Sequence, residues 1–171
     1  MKRFLVLLGL AALPVFAAEQ PTLYGRYENV RLPEIGQTLK AKLDTGALTA
    51  SLSAKDIERF QRDGDDWVRF RLAAKGADDT VYEHRLARMS KIKNRADEAG
   101  EEEEESGATE VAKRPVIELE MCLGEVRRSV EVNLTDRTAF NYPLLVGARA
   151  LRRLDAAVDP ARKYTAGKPG C

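Results

Sequence analysis

The stretch Leu43-Asp44-Thr45-Gly46-Ala47 decides the fold of this 171-residue chain, and it occurs once. The residues before it alternate between apolar and polar side chains, which predicts a strand over residues 38–43 with one buried face. Asp44 therefore lies at the end of a strand, and Gly46 lets the backbone pass close to the Asp44 carboxylate. An ordinary strand followed by an Asp-Gly-type turn is the alternative interpretation.

A hydrophobic residue followed by Asp-Thr-Gly-Ala resembles the catalytic loop of aspartic peptidases. Their chemistry needs two carboxylates about 3 Å apart that share one proton, so that one accepts a proton from water while the other donates one to the scissile carbonyl. A chain with a single motif must take the second carboxylate from an identical chain across a two-fold axis, or it is not a peptidase of this type. The resemblance makes Asp44 the candidate catalytic residue, with Thr45 and Gly46 fixing the pair of carboxylates.

A second apolar element, Tyr142-Pro143-Leu144-Leu145-Val146-Gly147, precedes a predicted short helix at residues 148–154. This order resembles the retropepsin family, in which an apolar-apolar-Gly element lies under the catalytic loop and leads into the helix of the subunit. The resemblance implies a mostly β fold, a single-lobe closed β-barrel of the acid-protease type with one or two short helices. It also implies that Ala47, Leu48, Val146 and Gly147 contribute to substrate binding.

Five spaced motifs extend the likeness over nearly the whole chain after residue 18. They resemble the bacterial single-lobe retropepsin-like proteins that are often labelled ATP-dependent zinc proteases. Such proteins usually carry a basic or polar residue where this chain has Leu48, and an Arg where it has Ala148. The matching segments are Lys42-Leu43-Asp44-Thr45-Gly46-Ala47, Arg114-Pro115-Val116, Leu134-Thr135-Asp136-Arg137, the Tyr142 to Gly147 element and Val158-Asp159-Pro160-Ala161-Arg162.

The chemistry of that label finds no support in the residues. The chain has no Gly-x-x-x-x-Gly-Lys-Ser/Thr loop for ATP, and His84 is the only histidine, so no His-Glu-x-x-His zinc helix exists. The sequence therefore predicts neither a metal nor a cofactor, and a metal-dependent peptidase is an alternative that rests on the label alone. His84 is interpreted as a surface or flap residue near bound substrate rather than as a base.

The first 18 residues have a basic start, an apolar run and a small-residue end, which is the pattern of a secretory signal peptide. An uncleaved anchor is the alternative. Cleavage would leave one domain over residues 19–171, in the periplasm if the resemblance holds, with no stable insertion in the membrane. The net charge is +1 and the basic residues are scattered, so no nucleic-acid partner is expected.

Further strands are predicted at residues 24–30, 67–72, 81–85, 116–123, 126–134 and 144–146, with a hairpin turn at residues 33–36 and a short helix at residues 53–60 capped by Ser53. Residues 96–112 include five consecutive glutamates and almost no apolar residue, which predicts a disordered acidic insertion at the place of a retropepsin flap. A solvated loop without a role is the alternative.

Three further expectations concern single pairs of residues and the partner chain. Cys122 and Cys171 can form a disulfide in an oxidising compartment, or remain a buried thiol and a loose terminal thiol. Asp136-Arg137 is interpreted as a local ion pair, with a carboxylate near the dimer axis as the alternative. The chain is predicted to be an exported aspartic endopeptidase that cleaves a peptide or protein substrate as a homodimer. A catalytically silent periplasmic module that binds a peptide or protein is the rival hypothesis.

Overall fold

The computed structural model describes residues 20–92 and 112–171. The predicted signal peptide lies outside these residues, as does all of the predicted acidic insertion except Ala112. The described chain is mostly β, as predicted, and forms a closed six-stranded barrel with one short helix. Its elements are β1 (Thr22–Gly25), β2 (Tyr27–Leu32), β3 (Gln37–Asp44), β4 (Ala50–Arg62), β5 (Asp65–Leu72), β6 (Tyr82–Arg85), β7 (Arg88–Ile92), β8 (Ala112–Leu123), β9 (Val126–Thr135), β10 (Leu144–Gly147), α1 (Ala148–Arg153) and β11 (Ala156–Asp159).

The barrel closes in the order β10-β3-β2-β8-β9-β4, because β10 pairs in parallel with β3 on one side and antiparallel with β4 on the other. The alternation predicted for β3 is present, since Leu39, Ala41 and Leu43 are buried while Lys40 and Lys42 are exposed. Side chains of the six strands fill the barrel, and Phe70 of β5 and Leu154 after α1 add to the core. The largest fully buried apolar side chains are Phe70, Leu32, Leu52, Ile117, Leu119, Met121, Leu123, Leu134, Leu144, Leu154 and Val30.

The helix predicted at residues 53–60 is wrong, because these residues belong to β4. The first part of β4 lies between β9 and β10 and is buried on both faces, and Ser53 is fully buried there instead of capping a helix. A β-bulge between Lys55 and Glu58 places Asp56 at φ 52° and shifts the register against β5. The extra residue of the bulge interrupts the two-residue alternation of the strand, and the spacing of Ile57 and Phe60, three positions apart, is that of a helix.

The second predicted helix is present as α1, and the turn at residues 33–36 joins β2 to β3. The strands β7 and β11 were not predicted. β11 pairs in parallel with β1 outside the barrel. Within residues 20–92 and 112–171, no helix is long and apolar enough to cross a membrane.

Two hairpins extend beyond the barrel. The second part of β4 pairs with β5 across the turn at Asp63 and Gly64, and β6 adds to the outer edge of β5. β7 pairs with β8 from Arg88↔Val116 to Ile92↔Ala112. The segment with the five glutamates connects these two strands in sequence, so the prediction that it acts as a flap falls outside the described residues.

The C-terminal tail after β11 is held against the barrel by polar contacts and one covalent bond. The buried carboxylate of Glu28 accepts hydrogen bonds from the N–H of Gly25 and Thr165 at 2.7 and 2.8 Å, from the Thr165 hydroxyl at 2.8 Å and from the N–H of Ala166 at 3.1 Å. Cys122 and Cys171 form a disulfide, with their Cα atoms 5.9 Å apart. The tail is therefore part of the folded domain.

Candidate active site

Asp44 ends β3 with a partly buried side chain, and each of its carboxylate oxygens has a donor. The N–H of Gly46 donates to Oδ1 at 3.1 Å, and the ammonium group of Lys42 lies 2.9 Å from Oδ2. Lys42 and Asp44 are two residues apart on a strand, so their side chains leave the same face. The side chain of Asp44 is 24% exposed and that of Lys42 is 46% exposed. The carboxylate is thus held in one orientation at the protein surface.

These contacts set the ionisation of Asp44. Partial burial raises the pKa of the carboxyl, but the hydrogen bond and the charge of Lys42, with the amides of Gly46 and Ala47, outweigh burial and lower the pKa below its ordinary value. In a single chain Asp44 is therefore ionised at neutral pH. An ionised carboxylate can accept a proton from water but has none to donate, so acid and base catalysis together need a second group.

The loop from Thr45 to Thr49 joins β3 to β4 on the outside of the barrel. Thr45 and Gly46 are exposed, Ala47 is half-buried and Leu48 is 57% exposed. The predicted catalytic residues Asp44, Thr45 and Gly46 therefore lie together on a surface loop, beside the predicted substrate residues Ala47 and Leu48.

The other two predicted substrate residues of this region, Val146 and Gly147, lie on β10 and support the start of that loop. Gly147 pairs with Asp44 across β10 and β3, and Val146 pairs with Leu43 and is fully buried. A Cβ at position 147 would lie 2.4 Å from the carbonyl oxygen of Thr49, so only glycine fits without movement of the loop.

The first turn of α1 completes the brace. The N–H of Ala148 donates to the carbonyl oxygen of Ala47 at 2.7 Å, and the N–H of Arg149 donates to that of Leu48 at 3.1 Å. These are N–H groups without partners inside the helix. Residue 148 makes this contact through its backbone, so the contact does not depend on the arginine side chain that is usual here in the proteins that this chain resembles.

A buried side-chain network anchors the far end of the loop and was missed by the sequence analysis. The amide of Asn133 on β9 donates to the hydroxyl of Thr49 at 3.2 Å and to the carbonyl oxygen of Ala50 at 2.7 Å, and its Oδ1 accepts from Ser51 at 3.0 Å. Asn133 is 3% exposed between buried Val132 and Leu134. A polar residue inside an apolar strand is the signal that could have identified it.

The interpretation of Asp136-Arg137 as an ion pair is wrong, because among the described residues no salt bridge joins the two. Asp136 is exposed and accepts from the N–H of Thr138 at 2.8 Å, whereas Arg137 is buried. The Arg137 guanidinium stacks on Phe140 at 4.7 Å, and its backbone N–H donates to the Ser53 hydroxyl at 3.0 Å. The buried charge of this loop is therefore positive.

Arg137 is close enough to Asp44 for their charges to interact. Burial lowers the pKa of Arg137, the charge of Arg114 lowers it further, and the charge of Asp44 raises it. Burial also lowers the pKa of Arg114. Arg137 thus places a positive charge near Asp44, and Arg114 lies near Arg137.

His84 is not brought to this loop. It lies on β6, its ring is 6.0 Å from that of Phe70, and it lines a surface cavity with Glu118. Burial lowers the pKa of His84 and the charge of Glu34 raises it, so His84 is near the β2–β3 turn. That turn precedes β3, whereas Asp44 ends it, seven residue steps or about 23 Å along the strand. A role for His84 in substrate binding stays a prediction.

Comparison with known proteins identifies the family of the chain. The RimB-like family, described as retropepsin-like aspartic endopeptidase RimB, matches residues 23–169. The chain belongs to this family. A crystal structure of a Legionella pneumophila protein of unknown function, assigned to DUF785, has a TM-score of 0.67 and 35% identity, and the match covers 84% of this chain and 97% of that one.

Curated relatives carry a different name. A probable alpha-L-glutamate ligase of Shewanella pealeana is 30% identical over 151 residues, which is 86% of this chain, and one of Parasynechococcus marenigrum is 34% identical over 149 residues, which is 85%. The chain spans only 30% and 29% of the length of these two relatives. This chain is therefore similar to only one part of each of these longer proteins.

The donor set of the site is poor for zinc. Within residues 20–92 and 112–171, no group of three or more His, Cys, Asp and Glu side chains is placed to hold a metal ion. Both cysteines are in the disulfide, and His84 is grouped with Glu34 and Glu118 rather than with Asp44. Zinc sites in proteins favour imidazole and thiolate ligands, which the described part of this chain does not offer near Asp44.

Proposed function

We propose that the chain is an aspartic endopeptidase whose two catalytic carboxylates are Asp44 of two identical chains. The observation that carries the proposal is the single Asp44 on an exposed loop, with both oxygens held by donors and the loop braced by β10 and α1. One carboxylate activates water and the other donates a proton, so a pair with one shared proton supplies what a single chain lacks. No cofactor takes part.

Exposure of the loop supports the homodimer. Thr45 and Leu48 present a hydroxyl and an apolar side chain to solvent beside Asp44, and symmetric dimers bury the same patch of both chains. Leu48 supplies apolar contact where related proteins carry a basic or polar residue. The substrate then lies extended across the two loops and is held as an added strand.

Replacement of Asp44 by Asn tests the chemistry. The amide is nearly isosteric but can neither share the proton nor activate water, so cleavage of a peptide library should be lost while the circular dichroism spectrum stays unchanged. A pepstatin-type inhibitor should block the wild type, whereas a chelator should not. Inhibition by the chelator alone would support the metal-dependent alternative, and a wild type that binds peptides without cutting them would support the silent binding module.

We also propose that the protein is exported to the periplasm. The support is the signal-peptide pattern of residues 1–18, together with a disulfide that persists in oxidising compartments. Mass spectrometry of the protein recovered from a periplasmic extract should give a chain that begins at residue 18 or 19. A full-length chain in the cytoplasmic fraction would contradict export.

A groove lined by basic side chains supports acidic substrates. Arg59, Lys91, Lys113 and Arg114 line an open groove of about 830 Å³, with Asp136 as its carboxylate. Lys91 and Lys113 are directly opposite each other on β7 and β8, where like charges repel. Within the described ranges no salt bridge neutralises these four side chains. Bound carboxylates would relieve the repulsion.

The name of the curated relatives adds glutamate as a candidate. They are probable alpha-L-glutamate ligases, and this chain matches part of them. We therefore propose peptides with glutamate side chains as the substrate class. The wild type should cleave a Glu-containing peptide about 2–10-fold faster than its Gln counterpart at low salt. Arg114→Gln should reduce that ratio and the control Arg152→Gln should not. Equal rates for both peptides at low salt would contradict this substrate class.

A further inference from the structure

Asp44 forms an ion pair with Lys42 of its own strand, and the proposed reaction assigns no role to Lys42. The Lys42 ammonium group lies 2.9 Å from Oδ2 of Asp44, and the other oxygen is held by the Gly46 amide. Lys42 is half-exposed and its backbone is fixed by pairing with Tyr27 on β2 and Leu145 on β10. The charge pair is therefore built into the strand and does not depend on a mobile loop.

We propose that Lys42 is a positioning residue for Asp44, which fixes the direction of its carboxylate and sets the pH range in which the carboxylate pair shares a proton. The inference rests on the proposed aspartic peptidase function. In a homodimer, two Lys42 ammonium groups would lie beside two Asp44 carboxylates, so a pair that holds one shared proton would face two positive charges with one negative charge. The two cations weaken the repulsion between the carboxylates and therefore lower the pH range over which the pair keeps its shared proton.

Within residues 20–92 and 112–171, Lys42 is the residue that forms a salt bridge with Asp44, and the charge of Arg137 also interacts with Asp44. From β10, the residues next to Asp44 are apolar or glycine. On β2, Tyr27 stacks on Tyr142, and the guanidinium of Arg26, the residue between β1 and β2, lies over the Tyr27 ring at 5.0 Å. From the loop after β9, Arg137 acts through its charge, with Arg114 behind it. From α1, Arg149 contributes its backbone N–H to the loop.

The Lys42–Asp44 ion pair determines the direction in which the pH profile should move when Lys42 is replaced. A neighbouring cation favours the ionised carboxylate and lowers the pKa of Asp44. Removal of that cation must raise the pKa values of the coupled pair, so both limbs of the pH profile of kcat/KM should move to higher pH. Lys42→Arg keeps the cation and should keep the profile close to that of the wild type.

Lys40 provides a matched control. Its side chain is on the same face of β3 as that of Lys42, two residues earlier in the sequence. It is exposed and forms no salt bridge within residues 20–92 and 112–171. Lys40→Met therefore removes the same charge from the same strand without touching Asp44. A shift caused by net charge alone would appear in both variants, whereas a shift caused by the pair appears only in Lys42→Met.

The test is an NMR titration of the Asp44 carboxyl carbon in the wild type, Lys42→Met, Lys42→Arg and Lys40→Met. The apparent pKa values should rise in Lys42→Met and stay at the wild-type values in the other two variants. The kinetic pH profile should shift in the same variant and direction. If Lys42→Met does not fold, the Nζ nitrogen of Lys42 in the wild type should respond as Asp44 titrates, while that of Lys40 should not.

Unchanged Asp44 titration in folded Lys42→Met, or a Lys42 Nζ signal that ignores Asp44, would overturn the proposal. Peptide cleavage is not needed for either measurement. A protein that cleaves no peptide but shows the Lys42-dependent titration would therefore refute the peptidase function and leave the pairing of Lys42 with Asp44 intact.

Discussion

Gly147 pairs with Asp44 across the parallel strands β10 and β3, so the residue that precedes the helix lies directly beside the candidate catalytic carboxylate. The carbonyl oxygens of Thr49 and Ala47 approach position 147 so closely that a Cβ would lie 2.4 and 2.8 Å from them. The loop after Asp44 and the start of α1 are thus packed backbone against backbone. Position 147 controls the geometry of the site without contributing a side chain.

Gly147→Ala should displace the loop and reduce cleavage more than stability. The added methyl group collides with backbone atoms, and overpacking of this kind costs about 1–3 kcal/mol. Thermal unfolding and kcat/KM should be measured together. Gly76→Ala is a control for backbone strain alone, because position 76 has φ +81° and open space around its Cβ. Wild-type cleavage by Gly147→Ala would contradict the bracing role of β10 and α1.

Glu28→Gln should loosen the C-terminal tail. Oε1 of Glu28 accepts hydrogen bonds from the N–H groups of Gly25 and Thr165, and Oε2 accepts one from the N–H of Ala166. In the Glu28→Gln variant one of these oxygens becomes an NH2 group, which would face an N–H donor. An unsatisfied buried group costs roughly 1–3 kcal/mol. Urea unfolding should show a loss of that order, with Glu58→Gln, at an exposed site, as the control. Equal midpoints for the two variants would show that Glu28 does not hold the tail.

Reduction of the disulfide should release the tail before the barrel unfolds. Cys122 is buried in β8 and Cys171 ends the chain, and a closed loop of this length contributes roughly 2–4 kcal/mol. Limited proteolysis after reduction should cut between residues 160 and 171 first. Titration of the unreduced protein should find no reactive thiol, and two reactive thiols would contradict the pairing.

Arg88 and Glu131 should make stability depend on pH. The Arg88 guanidinium bonds both carboxylate oxygens at 2.7 to 3.2 Å across β8, and the pKa of Glu131 is lowered mainly by this hydrogen bond. Because the pKa of Glu131 is lower in the folded than in the unfolded protein, its ionisation stabilises the fold at every pH above the unfolded-state pKa. This contribution is lost as the pH falls through the folded-state pKa. Both side chains are about one third exposed, so solvent screening reduces the contribution.

Arg88→Met should therefore cost about 0.5–1 kcal/mol at neutral pH. The difference from the wild type should shrink once acid protonates Glu131. Chemical denaturation at neutral and acidic pH measures both values. A difference that stays constant over this range would assign the loss to packing of the Arg88 side chain and not to the ion pair.

The sequence predicted the strand that leads to the candidate site better than it predicted the hairpins and the tail. Alternation in β3 identifies the strand that ends at Asp44, and the same period of two places Lys42 on the face of Asp44. The bulge in β4 was not predicted, because it interrupts the two-residue alternation of the strand and because Ile57 and Phe60 have the spacing of a helix. Contacts such as Glu28 with Thr165 join residues 137 positions apart, and no local pattern records them.

The most direct measurement of the shared carboxylate pair is the activity of a heterodimer with one Asp44→Asn chain. Wild-type and Asp44→Asn chains with different affinity tags are co-expressed, and dimers that carry both tags are purified beside doubly tagged wild-type dimers. Each heterodimer keeps one intact Asp44, so a shared pair predicts that its cleavage rate falls to the level of the Asp44→Asn homodimer. A heterodimer with about half of the wild-type rate would mean that each chain has its own complete site, and would contradict a carboxylate pair shared between two chains.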